Sequence, residues 1–305
     1  MTLTWIAAAL GARHAHRVAR IQSLCGGYGE LERVALDDGR TVVVKSARPP
    51  AGVVEDAAFA RKCRSYDVEL AFYRGPAARC DATCRVAALL AARASERAWV
   101  LVLEDLDAAG YAERVDEAEG ARLDAALGWL AAVHARFLGE RVDGLWPVGT
   151  YWQLETRRDE LAAIEDPALR AIAPRLAEQL RGARFQTLVH GDPKEANFCF
   201  GAAGVAAVDF QYAGGGCGMV DVAYLLYGRA DEPADGIDRP RLASYFRHLR
   251  RALAPGVDGD ALEAEWRALY PIARLDFCRF LAGWRPARWR ADARGQRFVR
   301  ASVSS

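Results

Sequence analysis

The sequence has no excess of one charge, no long apolar run and no pair of cysteines in a metal-binding pattern. Its 41 Lys and Arg residues against 40 Asp and Glu give a net charge of +1 over 305 residues, so no overall field predicts binding to nucleic acid or to an acidic membrane. No apolar run approaches the roughly 20 residues of a membrane span. In the opening MTLTWIAAALGARHAHR the basic residues follow the apolar stretch, whereas in a secretory signal they precede it. We therefore expect a cytoplasmic protein with no nucleic-acid or membrane partner, and the sequence indicates no obligate protein partner.

The seven cysteines are odd in number and scattered, without a C-x-x-C pair, so they indicate neither a zinc site nor a disulfide framework. They are typical of free thiols in a reducing compartment. With 52% hydrophobic and 27% charged residues, the chain has the composition of a folded protein with one large core or with two lobes that share a cleft.

The first hundred residues have the pattern of strands with one helix. The segment SLCGGYGELERVALDDGRTVVVKSA contains a glycine cluster, an alternating strand, an Asp38–Gly39 turn and a β-branched run ending on Lys45, which predicts a hairpin. In FARKCRSYDVELAFYR apolar residues recur at alternating steps of four and three, which predicts a helix with Glu69 beside its apolar stripe. The segment CRVAALLAARASERAWVLVLEDL predicts a second pair of strands.

Helices dominate after that point. ARLDAALGWLAAVHARFLG places apolar residues on one helical face together with His134, which we interpret as a core histidine. The short segments NFCF and GVAAVDF predict two strands, and another helix begins near Asp221. We predict an α+β fold in which residues 1–105 form a small N-terminal lobe of antiparallel β-sheet with one helix, and residues 106–305 form a larger, mainly helical C-terminal lobe.

The stretch LVHGDPKEANFCF, from Leu188 to Phe200, contains a histidine, two acidic residues, a lysine and an asparagine between two apolar runs. A packed core gains nothing from so many polar groups, because each must find a hydrogen-bond partner or stay in water. The stretch is therefore a candidate functional site.

Further polar residues along the chain match what phosphoryl transfer needs. Glycines let backbone N–H groups approach phosphate oxygens, and a lysine held by a glutamate supplies a fixed positive charge. Mg²⁺ prefers carboxylate and amide oxygens, and a further carboxylate can accept the proton of an acceptor hydroxyl. Each residue alone has an ordinary explanation as a turn, a surface lysine or a chance pair, but their joint order supports a phosphotransferase. The residues are Gly26, Gly27, Gly29, Lys45 and Glu69, then Asp192 as the base, with Asn197 and Asp209 as the metal ligands from the two ends of a tight hairpin.

The motif HGDPKEAN, His190 to Asn197, followed by VDF with Asp209, resembles the signature of the aminoglycoside phosphotransferase and choline kinase superfamily, relatives of protein kinases. The continuation VDFQYAGGGCGMVDVAYLL is most similar to the ecdysteroid-kinase-like (CHK kinase-like) branch, as are SYDVELAFYR and LVLEDLDAAGY. The resemblance extends over most of the chain. It implies a bilobal protein-kinase-like fold and an enzyme that uses ATP and Mg²⁺.

Carried over to this sequence, the resemblance implies that Asp192 is the catalytic base and that Asn197 and Asp209 are the metal ligands. It implies that Lys45 binds the α- and β-phosphates and that Glu69 is its ion-pair partner. It further implies that the backbone around Glu104 to Leu106 holds the adenine, and that His190 and Asp221 brace the catalytic loop. Lys194 either contacts the γ-phosphate or is a surface lysine. Two departures stand out, because the glycine cluster does not fit G-x-G-x-x-G and Gln211 replaces the glycine of a D-F-G motif.

The short, glycine-rich FQYAGGGCGMV between Asp209 and Asp221 leaves no room for the segment with which a protein kinase docks a polypeptide. We therefore expect a small-molecule alcohol as the acceptor, whether an amino alcohol, a sugar, an aminoglycoside or a hydrophobic alcohol. The aromatic residues of the arginine-rich tail, Arg267 to Arg300, are either the core of helices or a box for a quaternary amine. An alternative to the kinase is a catalytically silent protein that keeps the fold and binds nucleotide or acts as a scaffold.

Overall fold

A computed structural model describes residues 3–229, 231–233 and 235–303, and the chain divides into two compact units. Unit 1 consists of Met1–Val115 and Phe198–Gln211, and unit 2 of Asp116–Asn197 and Tyr212–Ser305. The lobe boundary after residue 105 stays a prediction. No helix within the described ranges is both long and apolar enough to cross a bilayer.

The helices and strands have the following bounds. The strands are β1 (Ala15–Ser23), β2 (Gly29–Leu36), β3 (Thr41–Ala47), β4 (Arg85–Val86), β5 (Leu89–Ser95), β6 (Ala98–Glu104), β7 (Thr187–Val189), β8 (Phe198–Gly201), β9 (Gly204–Ala207) and β10 (Gly214–Gly216). The helices are α1 (Leu3–Ala9), α2 (Ala57–Arg74), α3 (Gly120–Arg136), α4 (Arg158–Ala162), α5 (Pro167–Arg181), α6 (Met219–Leu226), α7 (Arg239–Ala252), α8 (Gly259–Trp284), α9 (Pro286–Ala291) and α10 (Ala293–Val303).

Unit 1 is built on an antiparallel sheet in the order β1, β2, β3, β6, β5. The predicted hairpin β2–β3, helix α2 and strand pair β5–β6 are confirmed. Strand β1 was not predicted, because its residues are almost all exposed and so show no alternation. A smaller sheet joins β8 and β9 as a hairpin, with β4 parallel to β9.

The two faces of β3 have different surroundings. Val42 and Val44 pack in a cluster with Ile6 of α1 and Val102 of β6, and burying each such side chain contributes about 1.5–3 kcal/mol. Because successive strand residues point to opposite faces, Lys45 lies on the other face, the one that α2 covers. The sheet thereby holds a lysine in a largely apolar interior.

Unit 2 is mainly helical, which confirms the α+β fold with a sheet-rich N-terminal part and a helical C-terminal part. Helix α3 packs against α7, and α8 packs against α5 and α6. Aspartates cap the starts of three helices: Asp166 for α5, Asp238 for α7 and Asp258 for α8, each satisfying N–H groups that the helix leaves unpaired. Strands β7 and β10 form a short antiparallel pair, and β7 leads directly into the stretch that the sequence marks as a site.

The arginine-rich tail forms α8, α9 and α10. Four of the five large aromatic side chains on α8 are buried, which agrees with the core interpretation for them, and Trp284 at the end of the helix is half-buried; the four are Trp266, Tyr270, Phe277 and Phe280. Two of its arginines are buried as well: Arg274 forms an ion pair with Glu232, and Arg279 forms one with Asp276 at 2.9 Å. These two belong to the interior of unit 2 rather than to a solvated face.

Candidate active site

The segment after β7 is held by its backbone. The N–H groups of His190 and Gly191 donate to the two carboxylate oxygens of Asp221, at 2.7 and 2.9 Å. Asp221 is fully buried, so these charge-assisted bonds form away from water. His134 Nε2 lies 3.2 Å from the same carboxylate and His134 Nδ1 lies 2.7 Å from the hydroxyl of Tyr245, which confirms a satisfied core histidine. The contacts agree with Asp221 as a brace of the loop.

Gly191 is the one residue type that fits its position in this loop. Its φ is +83°, and a Cβ there would lie 2.1 Å from the carbonyl oxygen of Tyr212. Only glycine adopts this conformation without strain and leaves room for the neighbouring backbone. The tight approach sets the direction in which the next residue, Asp192, leaves the loop.

Asp192 lies among polar partners of unit 2. Its Oδ2 is 2.9 Å from Lys194 Nζ and 3.3 Å from Asn197 Nδ2, and Asn197 also donates to the backbone carbonyl of Asp192 at 2.8 Å. Burial and then the charge of the nearby Asp192 carboxylate raise the pKa of the Tyr224 phenol. The structure therefore brings together the predicted base, the lysine two residues after it and the predicted amide ligand. The sequence did not point to Tyr224, whose spacing is that of an ordinary residue of α6.

Lys45, Glu69 and Asp209 form the second cluster, in unit 1. Lys45 Nζ lies 2.8 Å from Glu69 Oε1 and 3.0 Å from Asp209 Oδ1. Burial alone would lower the pKa of Lys45, but the carboxylates of Asp209 and Glu69 outweigh it and raise the pKa above the ordinary lysine value. The ammonium therefore stays charged and fixed, as the predicted lysine–glutamate pair requires.

Asp209 has an uncommon backbone conformation that its neighbours stabilise. Its φ is +67°, in the left-handed region that non-glycine residues rarely adopt. The next residue, Phe210, stacks on Phe72 of α2 with ring centroids 3.7 Å apart and meets Tyr73 edge-on at 5.8 Å. This packing anchors the segment and places the Asp209 carboxylate, one third exposed, beside Lys45.

Gln211, the departure from D-F-G, has a defined role in the structure. Its Nε2 is 3.4 Å from Glu69 Oε2, and its Oε1 lies 3.2 Å from Lys62 Nζ and 3.3 Å from Ser65 Oγ. A glycine could make none of these contacts. Lys62 is a residue that sequence reasoning missed. Burial lowers the pKa of Lys62 below the ordinary lysine value, and the carboxylate of Asp209 acts in the opposite direction.

The predicted glycines lie at the turn from β1 to β2. Gly26 and Gly27 have φ of +72° and +74°, and Gly29 has φ of +141°. A Cβ on Gly29 would lie 2.0 Å from the carbonyl oxygen of Ser46 on β3, whereas nothing lies within 4 Å of one on Gly27. Gly29 is therefore required by the sheet, and Gly27 by the turn itself.

Glu104 and Leu106 lie at and just after the end of β6. The Glu104 side chain forms an ion pair with Arg85 and accepts the N–H of Ala88 at 3.0 Å. The carbonyl of Leu106 accepts the N–H of Tyr111 at 2.8 Å. The Glu104 side chain thus has structural partners of its own. If this segment binds adenine, its backbone groups are the ones available to do so.

The donor atoms suit a hard divalent cation. In unit 1, Asp209 carries a carboxylate that is one third exposed, and in unit 2, Asn197 uses its Nδ2 to donate to Asp192, so these hydrogen bonds of its amide leave the oxygen as the donor atom for a metal. Oxygen donors of these two kinds are the ones that Mg²⁺ takes in proteins. The side chains present therefore fit the metal that the sequence predicts.

Residues 21–269 match the sequence model of the phosphotransferase enzyme family, APH. Among solved structures, an amicoumacin kinase in complex with AMP-PNP, Ca²⁺ and Ami is similar at 14% identity, over 98% of this chain and 93% of that one, with a TM-score of 0.56. A putative fructosamine-3-kinase from Thermobifida fusca matches at 20% identity, over 98% of both chains, with a TM-score of 0.54. An aminoglycoside-3'-phosphotransferase of type VIII matches at 18% identity, over 87% of this chain and 93% of that one, with a TM-score of 0.51. No curated protein sequence matches the chain significantly. These likenesses confirm the kinase-like fold.

Proposed function

The chain belongs to the phosphotransferase enzyme family, and on that premise we propose that it is an ATP- and Mg²⁺-dependent kinase that phosphorylates a hydroxyl group of a small organic molecule. The observation that carries the proposal is the Lys45 ammonium between the carboxylates of Glu69 and Asp209, at 2.8 and 3.0 Å. A buried lysine–carboxylate cluster is expensive to form. The free-energy cost of burying this cluster is explained if the fixed ammonium of Lys45 binds a phosphate.

In the proposed reaction, the acceptor oxygen attacks the γ-phosphorus of ATP. The new O–P bond forms as the bond from that phosphorus to the β–γ bridging oxygen breaks, ADP leaves, and the hydroxyl proton passes to the carboxylate of Asp192. Lys45 binds the α- and β-phosphate oxygens and Glu69 keeps it in place. Asn197 and Asp209 would hold the metal, which supplies charge neutralisation on the phosphates when bound.

The remaining predicted residues have supporting roles in this proposal. The backbone N–H groups of the turn at Gly26, Gly27 and Gly29 approach the phosphates. The backbone at Glu104 to Leu106 holds the adenine ring. Leu106 contributes its N–H group, because its carbonyl already accepts a hydrogen bond from Tyr111. Lys194 contacts Asp192 at 2.9 Å while its side chain is 45% exposed, which leaves its ammonium accessible to the γ-phosphate as well.

The acceptor is proposed as a small-molecule alcohol. The similar solved structures are named for an aminoglycoside, a fructosamine and amicoumacin, which supports a small molecule over a polypeptide. The ecdysteroid-kinase-like branch is a proposal from sequence pattern alone, in Val208 to Leu226 and in the segments SYDVELAFYR and LVLEDLDAAGY. The arginines of the tail would repel a strongly cationic acceptor, unless acidic side chains in the acceptor pocket neutralise their charge.

The test measures ATP consumption with Mg²⁺ against pooled small alcohols, for the wild type, Asp209→Ala and the control Asp260→Ala. Asp260 lies in the first turn of α8 with its side chain 89% exposed, so its loss should leave turnover unchanged. We expect turnover with one pool in the wild type and control, and its loss in Asp209→Ala. Metal-dependent ATP binding with silence in every pool would instead favour the catalytically silent protein.

A further inference from the structure

We propose that Lys62 of α2 is a second nucleotide-binding lysine, which contacts the phosphates of the bound nucleotide together with Lys45 and is held in place by Gln211. The inference rests on the proposed nucleotide-binding function. It adds a residue that the motifs of the sequence do not mark, and it explains why a glutamine occupies the position after Phe210.

Lysine is rare in this protein. Among its 41 basic residues there are three lysines, Lys45, Lys62 and Lys194, and all others are arginines. Two of the three belong to the predicted phosphate-transfer machinery. A compact ammonium on a flexible stem differs from a planar guanidinium as a ligand for a phosphate. A lysine at position 62 in an arginine-rich chain therefore suits a ligand that requires a compact cation.

The geometry places Lys62 at the nucleotide-binding parts of unit 1. Its Nζ lies 3.2 Å from Gln211 Oε1, two residues after Asp209. The same Nζ lies over the ring of Tyr66 at 4.9 Å and over the ring of Tyr28 at 6.0 Å. Tyr28 belongs to the glycine turn and lies between Gly27 and Gly29. Lys62 is thus in contact with both the segment of the metal-ligand aspartate and the turn proposed to wrap the phosphates.

The charges around the two lysines differ. Lys45 has two carboxylates as partners, Glu69 and Asp209. Lys62 donates to a neutral amide oxygen and faces two aromatic rings, contacts that orient an ammonium without cancelling its charge, while the carboxylates of Asp209 and Glu69 act on it without pairing with it directly. A half-buried cation with such partners gains most from an anionic ligand, because its own burial disfavours the charge. A triphosphate is an anion of the required kind.

Gln211 links this lysine to the other cluster. Its amide accepts from Lys62 through Oε1 and lies near Glu69 through Nε2, so it sets the relative positions of a cation and of the glutamate that holds Lys45. We therefore expect Lys62 and Gln211 to act as a unit. Removing either one should weaken nucleotide binding, and removing both should cost little more than removing one.

The first experiment measures the Kd of ATP, ADP and adenosine, with Mg²⁺, for the wild type, Lys62→Met, Gln211→Ala, the double variant and Arg74→Met. Arg74 is the exposed last residue of α2, about 18 Å along the helix from Lys62, and its loss removes the same charge beyond the roughly 10 Å range of screened interactions. For Lys62→Met we expect ATP and ADP binding to weaken about 10- to 100-fold, as for a lost charge-assisted contact. Adenosine binding should be unchanged, and Arg74→Met should match the wild type.

ATP binding by Lys62→Met equal to that of the wild type overturns the inference and leaves the proposed function intact. Equal weakening of adenosine and ATP also overturns it, because Lys62 would then support the fold of the lobe rather than the phosphates. A wild type that binds no nucleotide overturns the proposed function and this inference together.

A second measurement avoids any variant. An ATP analogue with an acyl group on its terminal phosphate reacts with a lysine at the phosphate site: neutral Nζ attacks the acyl carbon, an amide forms, the acyl–phosphate bond breaks and ATP leaves. With three lysines in the chain, peptide mass spectrometry assigns each label. Labelling of Lys62 that excess ATP prevents supports the inference. Labelling that is absent from Lys62, or that ATP does not reduce, overturns it.

Discussion

The two clusters of the candidate site are held together in different ways. In unit 2, the loop before Asp192 is fixed through its backbone, because His190 and Gly191 donate N–H groups to the buried carboxylate of Asp221. In unit 1, the cluster is fixed through side-chain charges, because Lys45 lies between Glu69 and Asp209. Under the proposed function, the difference suits the two roles, because a base on a loop depends on how the backbone of that loop is held, whereas a phosphate-binding cation on a strand depends on the counter-charges beside it.

The largest effect is expected at Asp192, where the comparison separates catalysis from folding. Asp192→Asn keeps the shape of the side chain but removes the proton acceptor, so we expect turnover to fall by about 10³-fold, within the range for general base catalysis. Nucleotide Kd and thermal unfolding should stay close to wild type, since the Lys45 cluster is untouched. Steady-state kinetics and calorimetry would check this with the acceptor found by the screen. Turnover near the wild-type rate would show that Asp192 is not the base.

Asp221→Asn tests the other half of the comparison, that the loop depends on a buried carboxylate. An asparagine has one acceptor oxygen and places an NH₂ group against one of the two N–H donors. We expect a loss of about 3 kcal/mol in the free energy of unfolding, measured by urea denaturation, with turnover reduced as well. Asp260→Asn, an exposed aspartate paired with Arg250, is the control and should change stability by less than about 1 kcal/mol. Equal stability of both variants would mean that Asp221 does not brace the loop.

Much of the fold could be predicted from local pattern. The β2–β3 hairpin, α2 and the helices of unit 2 follow from periods of two and of about 3.6 residues, which reflect one buried face each. Strand β1 has no buried face, because its residues are almost all exposed, and it was therefore not predicted. The burial of two arginines of α8 could not be predicted for a related reason. Arg274 and Arg279 are charged but buried, because Glu232 and Asp276 pair with them, and such pairing leaves no mark in the spacing of residues.

The candidate site was predictable where its residues form a motif and not where they meet across long distances in the chain. His190 to Asn197 is a compact motif, and Asp209 follows it closely. Lys62 and Gln211 are 149 residues apart, so nothing near either one indicates the contact. The substitution of Gln211 for a glycine was the one available signal, since a buried amide must find partners.

Gly29→Ala tests whether the glycine turn of unit 1 depends on its close contact with β3. The Cβ would meet the carbonyl oxygen of Ser46 at 2.0 Å, so the hairpin must shift, and we expect a loss of about 2 kcal/mol in the free energy of unfolding. Gly27→Ala is the matched control, because it meets nothing within 4 Å and loses only about 1 kcal/mol from its positive φ. Equal losses in thermal or urea unfolding would show that backbone conformation alone, and not the contact with β3, fixes Gly29.

The smallest effect is expected for Tyr224→Phe, which removes the phenol beside Asp192, the proposed base. The ring should keep its place against Trp152 and Phe277, with centroids 5.1 and 4.7 Å away, so stability should change little. Without the phenol, Asp192 loses a polar neighbour, and we expect kcat to fall about fivefold, the loss of about 1 kcal/mol that removal of one polar contact costs, with the KM for ATP unchanged. Tyr227→Phe removes a phenol that binds Asp292 instead and should leave kcat as it is. If both variants behave alike, or if the KM for ATP changes while kcat does not, Tyr224 is a packing residue and the loop alone orients Asp192.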